Sequence, residues 1–133
     1  MTRLTPEPVD PTVLLVEDEV VVNFFLKTLF EERGFQVVMT TTAAEAVRAI
    51  EDAQSEFCAA VIDVGLPDQP GDQLVPLIRS SFPELPIIIA TGFSETEFGR
   101  RFQQDLRLRV IGKPFDGPHL FSVLSSIDEQ FAV

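Results

Sequence analysis

The sequence predicts an α/β fold, a single doubly wound (βα)5 domain around a five-stranded parallel sheet. Two observations carry this reading. Strand-like apolar runs alternate with segments of helical period along most of the chain, the signature of strands joined by crossover helices. Four of those runs also stop at a polar residue: Val13-Leu14-Leu15-Val16 at Glu17-Asp18, Ala59-Ala60-Val61-Ile62 at Asp63, Ile87-Ile88-Ile89-Ala90 at Thr91, and Val110-Ile111-Gly112 at Lys113. Parallel strands place their carboxyl ends along one edge, where open α/β sheets bind ligands. Periodicity does not fix strand order, and 2-1-3-4-5 is the expectation of the doubly wound class.

Residues 1–11 hold three prolines and no periodicity, so they read as a flexible leader ahead of a domain over 12–131. The first strand is predicted near 12–16 and the first helix near 19–33. On that helix Val22, Phe25, Leu26, Leu29 and Phe30 follow the 3.6-residue period and are assigned to the sheet, with Val20, Val21 and Phe24 largely off the stripe. Gly34 after Glu31-Glu32-Arg33 is a helix stop. The second strand, near 35–39, is mixed in character and suits a sheet edge. Thr42 with Glu45 has the spacing of a capping box, opening a helix near 42–54.

The third strand, near 57–62, is apolar throughout, like the first and fourth, as expected where both faces are covered. A helix near 71–81 ends before Pro83, and Pro86 opens a strand near 86–90. Ser94 with Glu97 repeats the capping-box spacing at a helix near 94–104. Gly99 inside that helix costs about 1 kcal/mol against alanine, so it should be weak. A strand near 107–111 precedes a last helix near 117–131, with Asp116 as N-cap and Pro118 tolerated in the first turn.

At 133 residues the chain suits one domain with a sizeable core, and 45% apolar with 23% charged residues is ordinary for a soluble protein. A net charge of −11 repels phosphate backbones and argues against direct nucleic-acid binding. The single cysteine, Cys58, cannot form an internal disulfide and reads as a small hydrophobe within an apolar run. With no run of about 18 apolar residues and no secretory signal pattern, the expected location is cytoplasmic. His119 reads as an exposed residue without chemical work.

Glu17 and Asp18 at a strand-to-helix turn, read alone, are acids complementing a helix dipole. Beside Asp63 they become three like charges whose repulsion raises at least one pKa unless a cation intervenes. Magnesium suits such a set, because it takes oxygen ligands and often only one or two carboxylates. A carboxylate such as Asp63 can attack phosphorus to give an acyl phosphate. Thr91 offers a hydroxyl to a phosphoryl oxygen, and Lys113 a point charge on a flexible stem.

These segments, with Asp63-Val64-Gly65-Leu66-Pro67 followed by Gly71, Thr91-Gly92, and Gly112-Lys113-Pro114-Phe115, resemble a response-regulator receiver domain of two-component signalling over residues 12–131. The resemblance implies the CheY-like, flavodoxin-like fold and a role for Asp63 as phosphoacceptor from a phosphohistidine of a sensor kinase or phosphotransfer protein. It implies Mg2+ held by Asp18 and Asp63, by Glu17 partly through water, and by the carbonyl of Gly65. Thr91 would be the switch hydroxyl, Lys113 its salt-bridge partner, and Lys113–Pro114 a cis bond. Such a module would phosphorylate and dephosphorylate itself without turning over a separate substrate.

Five positions depart from the family pattern or add to it. Val110 stands where the family carries an aromatic switch residue, and the chain has no Tyr or Trp. Phe93, two residues past Thr91, reads either as a substitute sensor or as a shield over the phosphate, with shielding preferred. Val20, Val21 and Phe24 suggest a docking surface for a helical kinase or phosphotransfer bundle. Two other functions fit parts of the pattern: a receiver-like scaffold that takes no phosphate, and an aspartate-nucleophile phosphohydrolase. The second expects Asp two residues past its nucleophile, where this chain has Gly65.

Overall fold

The computed structural model of the protein describes residues 11–52, 57–93 and 95–132. Strands β1 (Thr12–Val16), β2 (Gln36–Thr40), β3 (Phe57–Asp63), β4 (Ile87–Thr91) and β5 (Leu108–Gly112) form one parallel sheet in the order β2-β1-β3-β4-β5. Helices α1 (Val20–Glu31), α2 (Ala43–Glu51), α3 (Leu74–Ser81), α4 (Glu95–Arg101) and α5 (Gly117–Ser125) connect and follow them, with 3-10 turns at Gly71–Gln73 and Glu129–Phe131. This is the doubly wound architecture the sequence pattern predicts. The predicted leader, apart from Pro11, and the Ser94 cap lie outside the described residues.

Two core layers follow from the period of two along each strand. Leu14, Val16, Ala60, Ile62, Ile87 and Ile89 pack on one face with Ala46 and Ile50 of α2 and Leu74 and Ile78 of α3. Val13, Leu15, Ala59, Val61, Ile88 and Ala90 pack on the other with Leu26 and Phe30 of α1 and Leu120, Phe121 and Leu124 of α5. Phe30 meets Phe121 edge-on at 5.1 Å, and Phe35 stacks on Phe131 at 5.2 Å, closing the layer near the amino ends of β1 and β2. The central strands are buried on both faces, and β2 is an edge with a mixed burial pattern, as read from its sequence.

The boundary signals act through specific bonds. Gly34 takes φ +90, the left-handed conformation a glycine stop allows. Thr42 accepts from the Glu45 amide at 3.0 Å. The returning arm of the box goes one residue upstream, where Glu45 accepts from the Thr41 amide at 2.7 Å. Asp116 accepts from the His119 amide at 2.8 Å, with a proline in the first turn. The Lys113–Pro114 bond is cis.

Some expectations are corrected. The last helix does not run to 131. It ends at Ser125, and Asp128 caps a separate 3-10 turn by accepting from the Gln130 amide. The predicted helix over 71–81 begins as a 3-10 turn and becomes α only at Leu74. On α1 the buried residues are Asn23, Leu26 and Phe30, while Phe25 is 44% exposed. Val22 and Leu29 pack against the core as assigned, and Asn23 takes an inward place beside them, its amide donating to the carbonyls of Glu17 and Thr40.

Helix α4 ends at Arg101, short of the predicted 104, and buries no residue. A Cβ at Gly99 would meet nothing within 4 Å. Gly99→Ala is therefore expected to stabilise the protein by up to about 1 kcal/mol. The checks are a higher urea midpoint at unchanged slope and slower amide exchange across α4.

Candidate functional site

Register brings the polar strand ends together. Val16 pairs with Ile62, Asp63 with Ala90, and Thr91 with Gly112. The residues that follow or end these strands, Glu17, Asp63, Thr91 and Lys113, thus reach one edge within about a residue of one another. Glu17 (2% exposed), Asp63 (8%) and Thr91 (4%) are buried there, and Asp18 is half-buried. One carboxylate oxygen from each of Glu17, Asp18 and Asp63 lies within 4.8 Å of the others.

Lys113 supplies the cation that faces this cluster. Its Nζ donates to Glu17 Oε1 at 2.9 Å and to Asp63 Oδ1 at 3.3 Å. Glu17 Oε2 accepts from the Glu19 amide at 3.0 Å. Burial pushes the Glu17 carboxyl above its ordinary value, and the Asp63 charge adds to the rise; the Glu19 amide and Lys113 oppose it without cancelling it. Burial alone would lower Lys113, but its hydrogen bond to Glu17 and the two carboxylate charges outweigh burial and raise it. Three acids answered by one ammonium leave the site short of positive charge.

The loop after β3 is clamped at both ends. Asp68 accepts from the amides of Ala43 and Ala44, each at 2.9 Å, and so holds the loop to the start of α2. Buried Asp72 accepts from Arg101 at 2.7 Å, tying the loop to the last turn of α4. Gly71 lies against Asp63. A Cβ there would overlap the Asp63 carbonyl oxygen and lie 2.9 Å from Ile62 Cγ2. Gly65 sits beside the carboxylate itself, since a Cβ there would come 3.7 Å from Asp63 Oδ2.

Thr91 Oγ1 accepts from the Phe93 amide at 3.2 Å, and the Thr91 carbonyl accepts from the Lys113 amide at 2.8 Å. The Phe93 ring does not shield the site as expected; the residue is 96% exposed. Val110 is half-buried on the edge strand β5. Val20, Val21 and Phe24 are 68%, 82% and 59% exposed on α1 beside the cleft. The sequence reading missed Asn23, Asp68 and the Asp72–Arg101 pair. A polar residue inside an apolar helical stripe was the available signal for Asn23; nothing local marked the other three.

A model of the response regulator receiver domain family matches residues 13–125. The chain belongs to that family. This receiver domain of two-component signalling is 29% identical over 119 residues, 90% of the chain, to the sensor kinase CckA of Brucella abortus. It is 35% identical over 79 residues, 59% of the chain, to the virulence transcriptional regulatory protein PhoP of Salmonella choleraesuis. The chain spans 13% of the first relative's length and 34% of the second's. A CheY-like response regulator receiver domain protein from Methanospirillum hungatei superimposes with a TM-score of 0.79 at 26% identity, covering 92% of this chain and 97% of that one. Among the described residues no helix is long and apolar enough to cross a membrane.

A pH dependence follows from the Glu17 shift. Its folded-state pKa lies above the ordinary 4.5, so the folded protein holds that proton more tightly than the unfolded chain. The associated stability is present below 4.5 and is lost as pH rises from there through the raised value. Without divalent ions, Glu17→Gln is expected to be more stable than the parent at pH 7, with the gap closing at acid pH. Urea midpoints measured across that range check the sign.

Proposed function

We propose that this receiver accepts a phosphoryl group on Asp63 from a phosphohistidine of a sensor kinase or phosphotransfer protein, in a Mg2+-dependent reaction that switches partner binding. The observation that most supports this reading is the convergence of three carboxylates with Lys113 at the strand ends, beside buried Thr91. The donor set is all oxygen, which fits Mg2+. Asp18 and Asp63 would hold the ion directly, Glu17 partly through water, and Gly65 through its backbone carbonyl. Bound there, it would supply charge neutralisation to the nucleophile and the incoming phosphoryl group.

The chain's own groups do the rest. A carboxylate oxygen of Asp63 forms the new P–O bond as the donor's P–N bond breaks, the electron pair passing to the imidazole nitrogen. The added charge of about −1.5 to −2 draws Lys113 from the Glu17–Asp63 pair toward the phosphoryl oxygens, where Thr91 Oγ1 can donate. With Val110 on the last strand, no aromatic gate accompanies Thr91 at that position. The module of residues 12–131, following the leader 1–11, acts in the cytoplasm. It catalyses only its own phosphorylation and dephosphorylation.

Exposed Val20, Val21 and Phe24 form an apolar rim beside the cleft, suited to the helical surface that carries a donor histidine. Intact-mass measurement after acetyl phosphate and Mg2+ is expected to show one added phosphoryl group on the parent and none on Asp63→Asn or with chelator. An unlabelled parent rejects the function. Phe24→Ser is expected to slow transfer from a phosphorylated protein donor while leaving labelling by acetyl phosphate unchanged. Equal loss with both donors rejects the docking role.

A further inference from the structure

Asp18 is the least constrained of the three acids. Glu17 is held by Lys113 and the Glu19 amide, and Asp63 by Lys113. The Asp18 carboxylate has no hydrogen bond or ion pair among the described residues. Its direction is therefore set by the peptide that joins it to Glu17. The carbonyl oxygen of that peptide accepts from Asn23 Nδ2 at 2.9 Å, and the same nitrogen donates to the Thr40 carbonyl at 2.9 Å. Thr40 also accepts from the Glu17 amide at 3.0 Å. One side-chain amide thus joins the ends of β1 and β2 to the first turn of α1.

Asn23 is fully buried, and its Oδ1 has no hydrogen-bond partner. Turning the amide over would aim that oxygen at two carbonyl oxygens and lose both donated bonds, so the orientation is settled by its neighbours. A buried acceptor left unpaired is destabilising. The residue is best understood by its two donors. Aspartate at neutral pH offers none, leucine matches the size without any, and serine offers one.

We propose that Asn23 is a positioning residue for divalent-cation binding, clamping the Glu17–Asp18 peptide so that Asp18 points into the cleft. The proposal rests on the reading of this site as a Mg2+-dependent phosphoacceptor. Mg2+ demands near-ideal octahedral placement of its ligands, whereas Ca2+ tolerates irregular sets. Loss of the clamp therefore weakens Mg2+ more than Ca2+, an asymmetry that a general loss of stability does not produce.

Titration calorimetry with Mg2+ and, separately, Ca2+ tests this on the parent, Asn23→Leu, Asn23→Ser and Leu26→Ala. The last removes a buried side chain from the same helix without touching the clamp. Mg2+ binding is expected to weaken about 10- to 100-fold in Asn23→Leu, less in Asn23→Ser, and to stay near the parent value in Leu26→Ala. Ca2+ affinity falls less than Mg2+ affinity in both Asn23 variants. Should Asn23→Leu fail to fold, Asn23→Ser decides. Mg2+ affinity unchanged in the Asn23 variants, or weakened equally for both ions and equally in Leu26→Ala, overturns the proposal. A parent that takes up no Mg2+ overturns the phosphoacceptor reading and this proposal with it.

Discussion

Crowding of like charge at one end of a parallel sheet governs how this receiver is built. Because β1 lies beside β3, the acids that follow Val16 and Ile62 are forced into company by topology alone. Relaxing the turn after β1 would separate them, but Glu17 is fastened at its amide, its carbonyl and both carboxylate oxygens. The repulsion is therefore retained in the fold and answered only in part by Lys113. That deficit of positive charge is what a hard cation would fill, and the proposed phosphoacceptor reading depends on its being filled.

The surroundings of the cleft are unequally firm. On one side, α1 and the loop after β3 are fixed by the Asn23 clamp, the Asp68 bonds to α2 and the contact of Gly71 with Asp63. On the other, α4 has no buried residue and leans on the Arg101–Asp72 ion pair, where the arginine is half exposed and the aspartate is not. Elements with little apolar burial come from the low-stability end of a domain. Here that element follows directly on the segment that holds Thr91, so a charge change at Asp63 has a soft neighbour to act on.

Much of this was legible in the chain. The strand and helix pattern, the edge character of β2 and the gathering of Glu17, Asp18, Asp63, Thr91 and Lys113 follow from where the apolar runs lie and the chemically pointed residues at which they stop, whereas the cis bond before Pro114 is what the family resemblance implied. What escaped depended on partners far away in sequence. Asn23 drew no assignment beside a stripe that included Phe25, because nothing near it announces that Thr40 will supply a carbonyl. Asp72 and Arg101 lie 29 positions apart and meet only once β3 and α4 are placed. Phe93 was assigned a shielding role from its size, yet the chain turns at Gly92 and leaves the ring in solvent.

Gly71 carries a consequence for how such a domain can diverge. The space in which a side chain would grow is already filled by the Asp63 carbonyl and the Ile62 side chain. Any side chain at this position would press on Asp63, whereas Gly92 and Gly99 face open surroundings. Substitutions meant to retune partner choice therefore find room at Gly92 and Gly99, after β4 and on α4. The turn behind Asp63 belongs to the part that must be inherited unchanged.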